Sequence, residues 1–284
     1  MGASLSLTIR AKGFQCQTTG IVRTEKSKTK GLELKSADTI LTEEEFLKNP
    51  NWNEFDLIVF SLPIHLTCEK ILAFPDNYCG VVTDLASAKK DIIEVVEKKF
   101  QTTHNYYSSH PMAGSEQTGL EFAKPNLFEG KLCILTKPKH VSAVAIEKLE
   151  LFWKQLDTSK IEMNSIEHDK ILAYLSHSPH ILSSILVNWA YENPIVQNKI
   201  NHSDTPLTGG GFRDMTRIAG SNPEMWDAII SANKQNIIDS LEGFKSHINS
   251  ILNVLNDENT KSEFWNQYFT KSKSNRANIL KLKE

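Results

Sequence analysis

The strongest constraint on the fold is a change of rhythm a little past the middle of the chain. Up to about residue 163, short apolar runs alternate with amphipathic stretches of helical period; beyond it the strand signals vanish. Residues 4–12 read as a helix closed by Gly13, and residues 18–22 as a short strand. Residues 56–62 (Asp-Leu-Ile-Val-Phe-Ser-Leu) are almost continuously apolar and stop at Pro63. Such a run suits a strand buried on both faces, as in a parallel sheet covered by helices. Residues 80–83 repeat the pattern, and Asp84 is placed to cap the helix that carries Ile92, Val95 and Val96. Residues 105–109 and 132–136 supply two further strands. This alternation predicts an α/β fold with an open, doubly wound parallel sheet.

The second half reads as helices alone. Residues 166–191 form one long helical pattern interrupted by Pro179, which predicts a kink or break there. A polar loop over 192–208 leads to Gly209-Gly210-Gly211, and residues 223–255 and 263–282 continue in helical period. Two domains follow, 1–163 and 164–284, which suits 284 residues at roughly 100–200 per domain.

Composition narrows the partners. With 40% hydrophobic and 23% charged residues the chain is of ordinary globular type, unlike disordered, collagen-like or rod-like sequences. A formal net charge of −2 offers no basic field for nucleic acid. No apolar run approaches the ~20 residues that span a bilayer, and the first residues lack the basic and apolar regions of a secretory signal. They match the loose Met-Gly-x-x-x-Ser lipidation pattern, which is set aside here because Gly2 has a structural reading. Cys16, Cys68, Cys79 and Cys133 show neither Cys-x-x-Cys pairing nor framework spacing, so reduced thiols and a cytoplasmic location are expected.

Doubly wound nucleotide domains open with a strand, a Gly-x-Gly-x-x-Gly turn and a helix whose amino end meets a pyrophosphate. Here the first helix is present, with only Met1 and Gly2 before it. Taking Gly2 as the third glycine places the first strand and two glycines upstream, a piece of about ten residues. The other possibility is a free first helix and no dinucleotide. The absent-strand reading is preferred because a sheet lacking its central strand would expose unpaired edges.

Three segments concentrate chemistry-bearing residues. His110-Pro111-Met112-Ala113-Gly114-Ser115-Glu116 follows a predicted strand, where doubly wound domains place their sites. In Ser176-His177-Ser178-Pro179-His180 the two histidines share a helix face; without a Glu-rich or Cys-rich partner set, no metal is expected. In Gly209-Gly210-Gly211-Phe212-Arg213-Asp214-Met215-Thr216-Arg217 the glycines allow close backbone approach. Arg213 and Arg217, four apart, are either a carboxylate-binding pair or solvated arginines paired with Asp214.

Together with Thr83-Asp84-Leu85-Ala86-Ser87-Ala88-Lys89, Leu127-Phe128-Glu129-Gly130 and Pro223-Glu224-Met225-Trp226, these segments resemble the prephenate/arogenate dehydrogenase family of tyrosine biosynthesis over nearly the whole chain. The resemblance implies a Rossmann-type domain, a helical domain that dimerises, and an active site between them. It implies oxidative decarboxylation of prephenate with hydride transfer to NAD or NADP. Arogenate as substrate, or an inactive ligand-binding dimer, are the alternatives. By matching position, His110 is the catalytic base and Ser87 helps orient it. Arg217 binds the ring carboxylate, with His180, His177, Glu116 and Arg213 as further substrate contacts. Cofactor contacts are expected from Gly2, Arg23, Thr24, Ser61, Pro63 and Asp84. Where NAD-specific sites commonly carry an acidic residue at the end of the second strand, this chain has Val22-Arg23-Thr24, so NADP is expected to be accepted.

Overall fold

The computed structural model describes residues 1–114, 117, 119–258 and 262–282. They form two compact units, residues 1–237 and 238–284.

In the first unit, α1 (Gly2–Ala11) ends one residue before Lys12, and Gly13 adopts φ +72°, the left-handed turn that the sequence reading assigned to it. Then come β1 (Thr19–Val22), α2 (Glu25–Glu33), β2 (Thr39–Thr42), α3 (Glu43–Lys48), β3 (Leu57–Phe60), α4 (Ile64–Leu72), β4 (Val81–Asp84) and α5 (Lys90–Lys99). The α/β alternation continues through β5 (Ser108–Pro111), β6 (Leu132–Thr136), α6 (Ala143–Gln155) and β7 (Ser159–Glu162). Helix starts are set locally: Thr24 caps α2, Thr42 and Glu45 form a capping box on α3, and Ser142 caps α6.

Strands β1 and β2 pair in parallel, as do β3 and β4. A parallel bridge from Val82 to Tyr106 carries β4 on toward β5, which pairs antiparallel with β6, itself parallel to β7. Alternation along β4 sends Val81 and Val82 to opposite faces. Val81 packs with Leu5, Tyr107, Leu149 and Trp153, whereas Val82 packs with Ile71, Ile92, Val96 and Tyr106. Strand β4 is thus covered on both sides, as its apolar run required.

Two departures stand out. Among the described residues the β1–β2 and β3–β4 pairs are separate two-stranded sheets, not one continuous sheet. Helix α1 reaches both: Ser6 Oγ donates to Thr18 Oγ1 and Arg10 pairs with Asp38, while the Gly2 amide donates to Ser61 Oγ at 2.9 Å. All four residues of β3 are therefore half-buried instead of enclosed, and Ile21 of β1 is exposed. The strand expected at 105–109 is displaced to Ser108–Pro111, and β7, fully exposed and without apolar alternation, had no sequence signal.

The helical part of this unit begins with α7 (Ser165–Leu172), capped by Asn164. The expected break near Pro179 takes the form of a π-helical turn over Ala173–His177, after which α8 (Ser178–Glu192) starts with Pro179 in its first turn. Proline has no N–H to donate and its ring crowds the preceding turn, so the register widens before it. The expected loop at 192–208 contains α9 (Pro194–Asn201), nucleated by the Asn193 cap and Pro194. The unit continues with α10 (Gly210–Thr216), a 3₁₀ turn over Arg217–Gly220, α11 (Pro223–Ala232), and the start of α12 (Lys234–Asn256). Asn233 divides what the periodicity ran together as one helix.

The second unit holds the rest of α12 and α13 (Ser262–Leu280). On α12, Phe244, Ile248, Leu252 and Leu255 are exposed and spaced as one helical stripe. No helix of the described residues is long and apolar enough to cross a membrane.

Candidate active site

The site starts from the alternation of β5. Ser109 points to one face, where its hydroxyl meets Thr83 Oγ1 at 2.8 Å and accepts from Trp153 Nε1 at 2.9 Å. Ser108 and His110 point to the other. There Asp84 accepts from Ser108 Oγ (2.5 Å), Tyr106 OH (2.8 Å), the Ala86 amide (3.0 Å) and Lys89 Nζ (2.5 Å). Lys89 Nζ also donates to the Ser109 carbonyl at 2.7 Å, and both charged side chains are wholly buried. Asp84 therefore neither caps α5 nor offers a surface to a cofactor; its oxygens are committed to holding β4 against β5.

The cap of α5 comes from elsewhere. Asp169, in the first turns of α7, accepts the Lys89 amide on Oδ1 (2.8 Å) and the Lys90 amide on Oδ2 (2.9 Å). The same Oδ1 lies 2.7 Å from His168 Nδ1, and His168 Nε2 lies 2.9 Å from His110 Nδ1. Two imidazoles and a carboxylate thus form a buried line from the helical region to the end of β5. Burial depresses His110 well below the ordinary imidazole range, helped by His168, Lys89 and His177. Burial also lowers His168, against the opposing pull of Asp169. His110 is a neutral imidazole at pH 7, the form able to accept a proton.

A second cluster adjoins the first. Asn233 Nδ2 donates to the Asp169 carbonyl (2.7 Å) and faces His177 Nδ1 at 3.0 Å. Burial, opposed by the Asp169 charge, brings His177 down to about 4. Ser87, half-buried in the β4–α5 connection, lies with its backbone beside His177. His180 donates or accepts at the Ser176 carbonyl through Nδ1 (2.8 Å) and lies over Trp226, ring centroids 4.2 Å apart. Burial lowers His180, opposed by the Ser176 carbonyl and helped by the positive Arg217 nearby. His177 Nε2 and Trp226 Nε1 are buried without a hydrogen-bond partner among the described residues. Trp226 Nε1, an unspent donor beside the His180 ring, suits a polar ligand.

The sequence-derived residues sort as follows. His110, Ser87, His177, His180 and Arg217 share these contacts, Arg217 being exposed at the start of its 3₁₀ turn. Arg213 is exposed on α10, and Glu116 lies outside the described residues. Gly2 and Ser61 meet through their hydrogen bond, and Pro63 opens α4 beside them. A Cβ on Gly2 would stand 3.2 Å from Ser61 Cβ, tight enough to favour glycine there. Arg23 and Thr24 are exposed after β1, Thr24 being spent on the Ser27 amide. Lys89, His168, Asp169 and Asn233 were not singled out from sequence. Among the described residues no group of three His, Cys, Asp or Glu could hold a metal.

Comparison with known proteins bears on this geometry. Residues 5–162 match the family model described as prephenate dehydrogenase, nucleotide-binding domain, and residues 164–270 match prephenate dehydrogenase, dimerization domain. The prephenate dehydrogenase of Lactococcus lactis is 35% identical over 206 residues, 70% of this chain and 54% of that protein. The prephenate dehydrogenase of Bacillus subtilis is 31% identical over 199 residues, 70% of this chain and 52% of that protein. The chain therefore spans about half the length of the curated relatives it matches. Among solved structures, prephenate dehydrogenase from Aquifex aeolicus in complex with hydroxyphenyl propionate and NAD+ superimposes with a TM-score of 0.81 at 27% identity, covering 98% of this chain and 94% of that one.

Proposed function

The chain belongs to the prephenate dehydrogenase family, and on that premise we propose that it oxidatively decarboxylates prephenate to 4-hydroxyphenylpyruvate in the making of tyrosine. The observation that carries the reading is His110: a buried imidazole, kept neutral, with one ring nitrogen already engaged by His168. Residues 1–163 serve the nucleotide and residues 164–284 the substrate and the dimer contact. The exposed stripe on α12 supports self-association, as does the dimerization family model.

The residues present fit a nicotinamide dinucleotide. The amino end of α1 carries no side-chain cap of its own and no acidic residue in its first turn, so its dipole, and first-turn amides other than that of Gly2, suit a pyrophosphate. Gly2, Ser61 and Pro63 would hold the cofactor there, with Arg23 and Thr24 toward the adenosine end. Asp84, buried behind the site, is dropped from that set. When bound, the cofactor supplies the hydride acceptor. His110 Nε2 takes the proton of the ring hydroxyl as the O–H electron pair becomes the carbonyl, and returns it to that oxygen when carbon dioxide leaves and the ring aromatises. Ser87 helps orient the imidazole and hydroxyl. Arg217 holds the ring carboxylate, while His180, His177 and Trp226 line the ring. Arg23 supports use of NADP, since nothing acidic ends β1. We place the enzyme in the cytoplasm.

The test is turnover by the purified chain of prephenate and of arogenate, each with NAD+ and with NADP+. Equal yields of carbon dioxide and reduced nicotinamide from prephenate are expected. Faster turnover of arogenate would replace the substrate, a strong preference for NAD+ would remove the role of Arg23, and no reduction with any pair would overturn the assignment.

A further inference from the structure

With both buried imidazoles neutral, the line Asp169–His168–His110 has only one arrangement of protons that satisfies every contact. Asp169 Oδ1 and Oδ2 already accept two backbone amides at 2.8 and 2.9 Å, so the carboxylate acts throughout as an acceptor. His168 Nδ1, 2.7 Å from Oδ1, must then be the donor. A neutral imidazole carries one N–H, which leaves His168 Nε2 bare and able only to accept. His110 Nδ1 faces it at 2.9 Å and so must carry the proton of its own ring. His110 Nε2 is then the bare nitrogen.

We propose that His168 and Asp169 are positioning residues that hold His110 in the tautomer protonated on Nδ1, leaving Nε2 to accept the substrate's hydroxyl proton. The proposal rests on the dehydrogenase reading for its chemical consequence, whereas the tautomer follows from the contacts and from the burial that keeps His168 neutral. The arrangement serves the reaction twice. Before proton transfer, the wrong tautomer would present an N–H to a hydroxyl that needs an acceptor. After transfer, His110 is an imidazolium in a buried site, and the Nδ1–H donated toward His168 and Asp169 spreads that charge toward a carboxylate. No net proton is lost along the line: His168 and Asp169 keep their own protonation while His110 gains and returns one.

The same carboxylate caps α5 through the Lys89 and Lys90 amides, so the helix start and the imidazole line are fixed by one group. For that reason replacements at His168 are cleaner than replacements at Asp169. His168→Leu removes the acceptor for His110 Nδ1–H. His168→Gln restores one, because its carbonyl oxygen can accept the same hydrogen bond.

The experiment is a two-bond ¹H–¹⁵N correlation spectrum of the ¹⁵N-histidine-labelled full chain, with His110 identified by its loss in His110→Asn, alongside kcat and KM. In the wild type His110 is expected as the Nδ1–H tautomer. His168→Leu should show a mixture of tautomers or the Nε2–H form, with kcat down by about a hundredfold or more and KM little changed, the pattern of a misplaced base. His168→Gln should recover the Nδ1–H spectrum and most of the rate. An Nε2–H signal in the wild type overturns the proposal, as does an unchanged tautomer and rate in His168→Leu. If His168→Leu does not fold, the wild-type spectrum and the Gln variant still decide. If the wild type turns over neither prephenate nor arogenate, the functional assignment fails while the spectrum continues to judge the tautomer.

Discussion

Replacing Lys89 by Met isolates the most deeply buried charge in the nucleotide half. The ammonium sits between Asp84 Oδ1 at 2.5 Å and the Ser109 carbonyl at 2.7 Å, and neither charged side chain has any exposed surface. Methionine fills nearly the same volume, so cavity formation contributes little and the loss is electrostatic. Asp84 would keep three neutral donors, Ser108, Tyr106 and the Ala86 amide, but no counter-charge. Breaking a buried pair in this way costs about 3–5 kcal/mol, a large part of a typical 5–15 kcal/mol stability. With a urea dependence of roughly 2 kcal/mol per molar, the unfolding midpoint should fall by about 2 M, followed by fluorescence of the buried Trp153. The double variant Asp84→Asn, Lys89→Met should regain part of this loss, because the uncompensated carboxylate is then gone. A shift below about 0.3 M for Lys89→Met, or a double variant less stable than the single by the full cost of a second lesion, would refute the argument.

Other outcomes follow from the same geometry. His110→Asn should retain substrate binding while kcat falls by about 10²–10⁴, measured in steady-state turnover; near-normal kcat would remove His110 from its role. Arg217→Ala should act mainly on KM, raising it about ten- to a hundredfold, the range expected for one charged hydrogen-bonding contact at an exposed guanidinium. An unchanged KM would contradict the carboxylate contact. Stability should also decline in acid. Burial holds His177 neutral down to about 4, and His110 and His168 are shifted the same way. The unfolded chain therefore binds more protons than the native one, so stability is full above the free imidazole pKa of about 6.5 and is lost as pH falls through it. For His177 alone the loss approaches about 3 kcal/mol by pH 4, readable from urea midpoints taken at intervals of pH. Midpoints that do not move between neutral pH and that point would dismiss the buried-histidine account.

Much of the framework was legible in order of residues alone, and the misses have physical causes. The apolar runs at β3 and β4, the turn at Gly13 and the interruption at Pro179 are local properties, and local physics locates them. His110 was singled out because a histidine at the end of a strand stands where such sheets place their sites. His168 and Asp169 were missed because, read locally, they are two ordinary polar residues in the first turns of a capped helix. Only the fold brings that turn against the start of α5, 79 to 80 positions earlier in the chain. Asp84 misled for the converse reason: its place before a helix is a local capping signal, overridden by a buried lysine that no periodicity reveals. Helix α9 did leave a signal, Asn193 followed by Pro194, which the polarity of the segment obscured.

The gap between the two parallel strand pairs has a consequence for handling the molecule. Among the described residues β1 and β3 each pair on one side only, so the outward-facing amide and carbonyl groups along Thr19–Val22 and Leu57–Phe60 stand ready to template another chain. β3 carries no charge to discourage such addition. Loss of soluble material by strand-to-strand accretion should therefore grow with concentration, and backbone protons on β3 should exchange with solvent far sooner than those of fully enclosed β4.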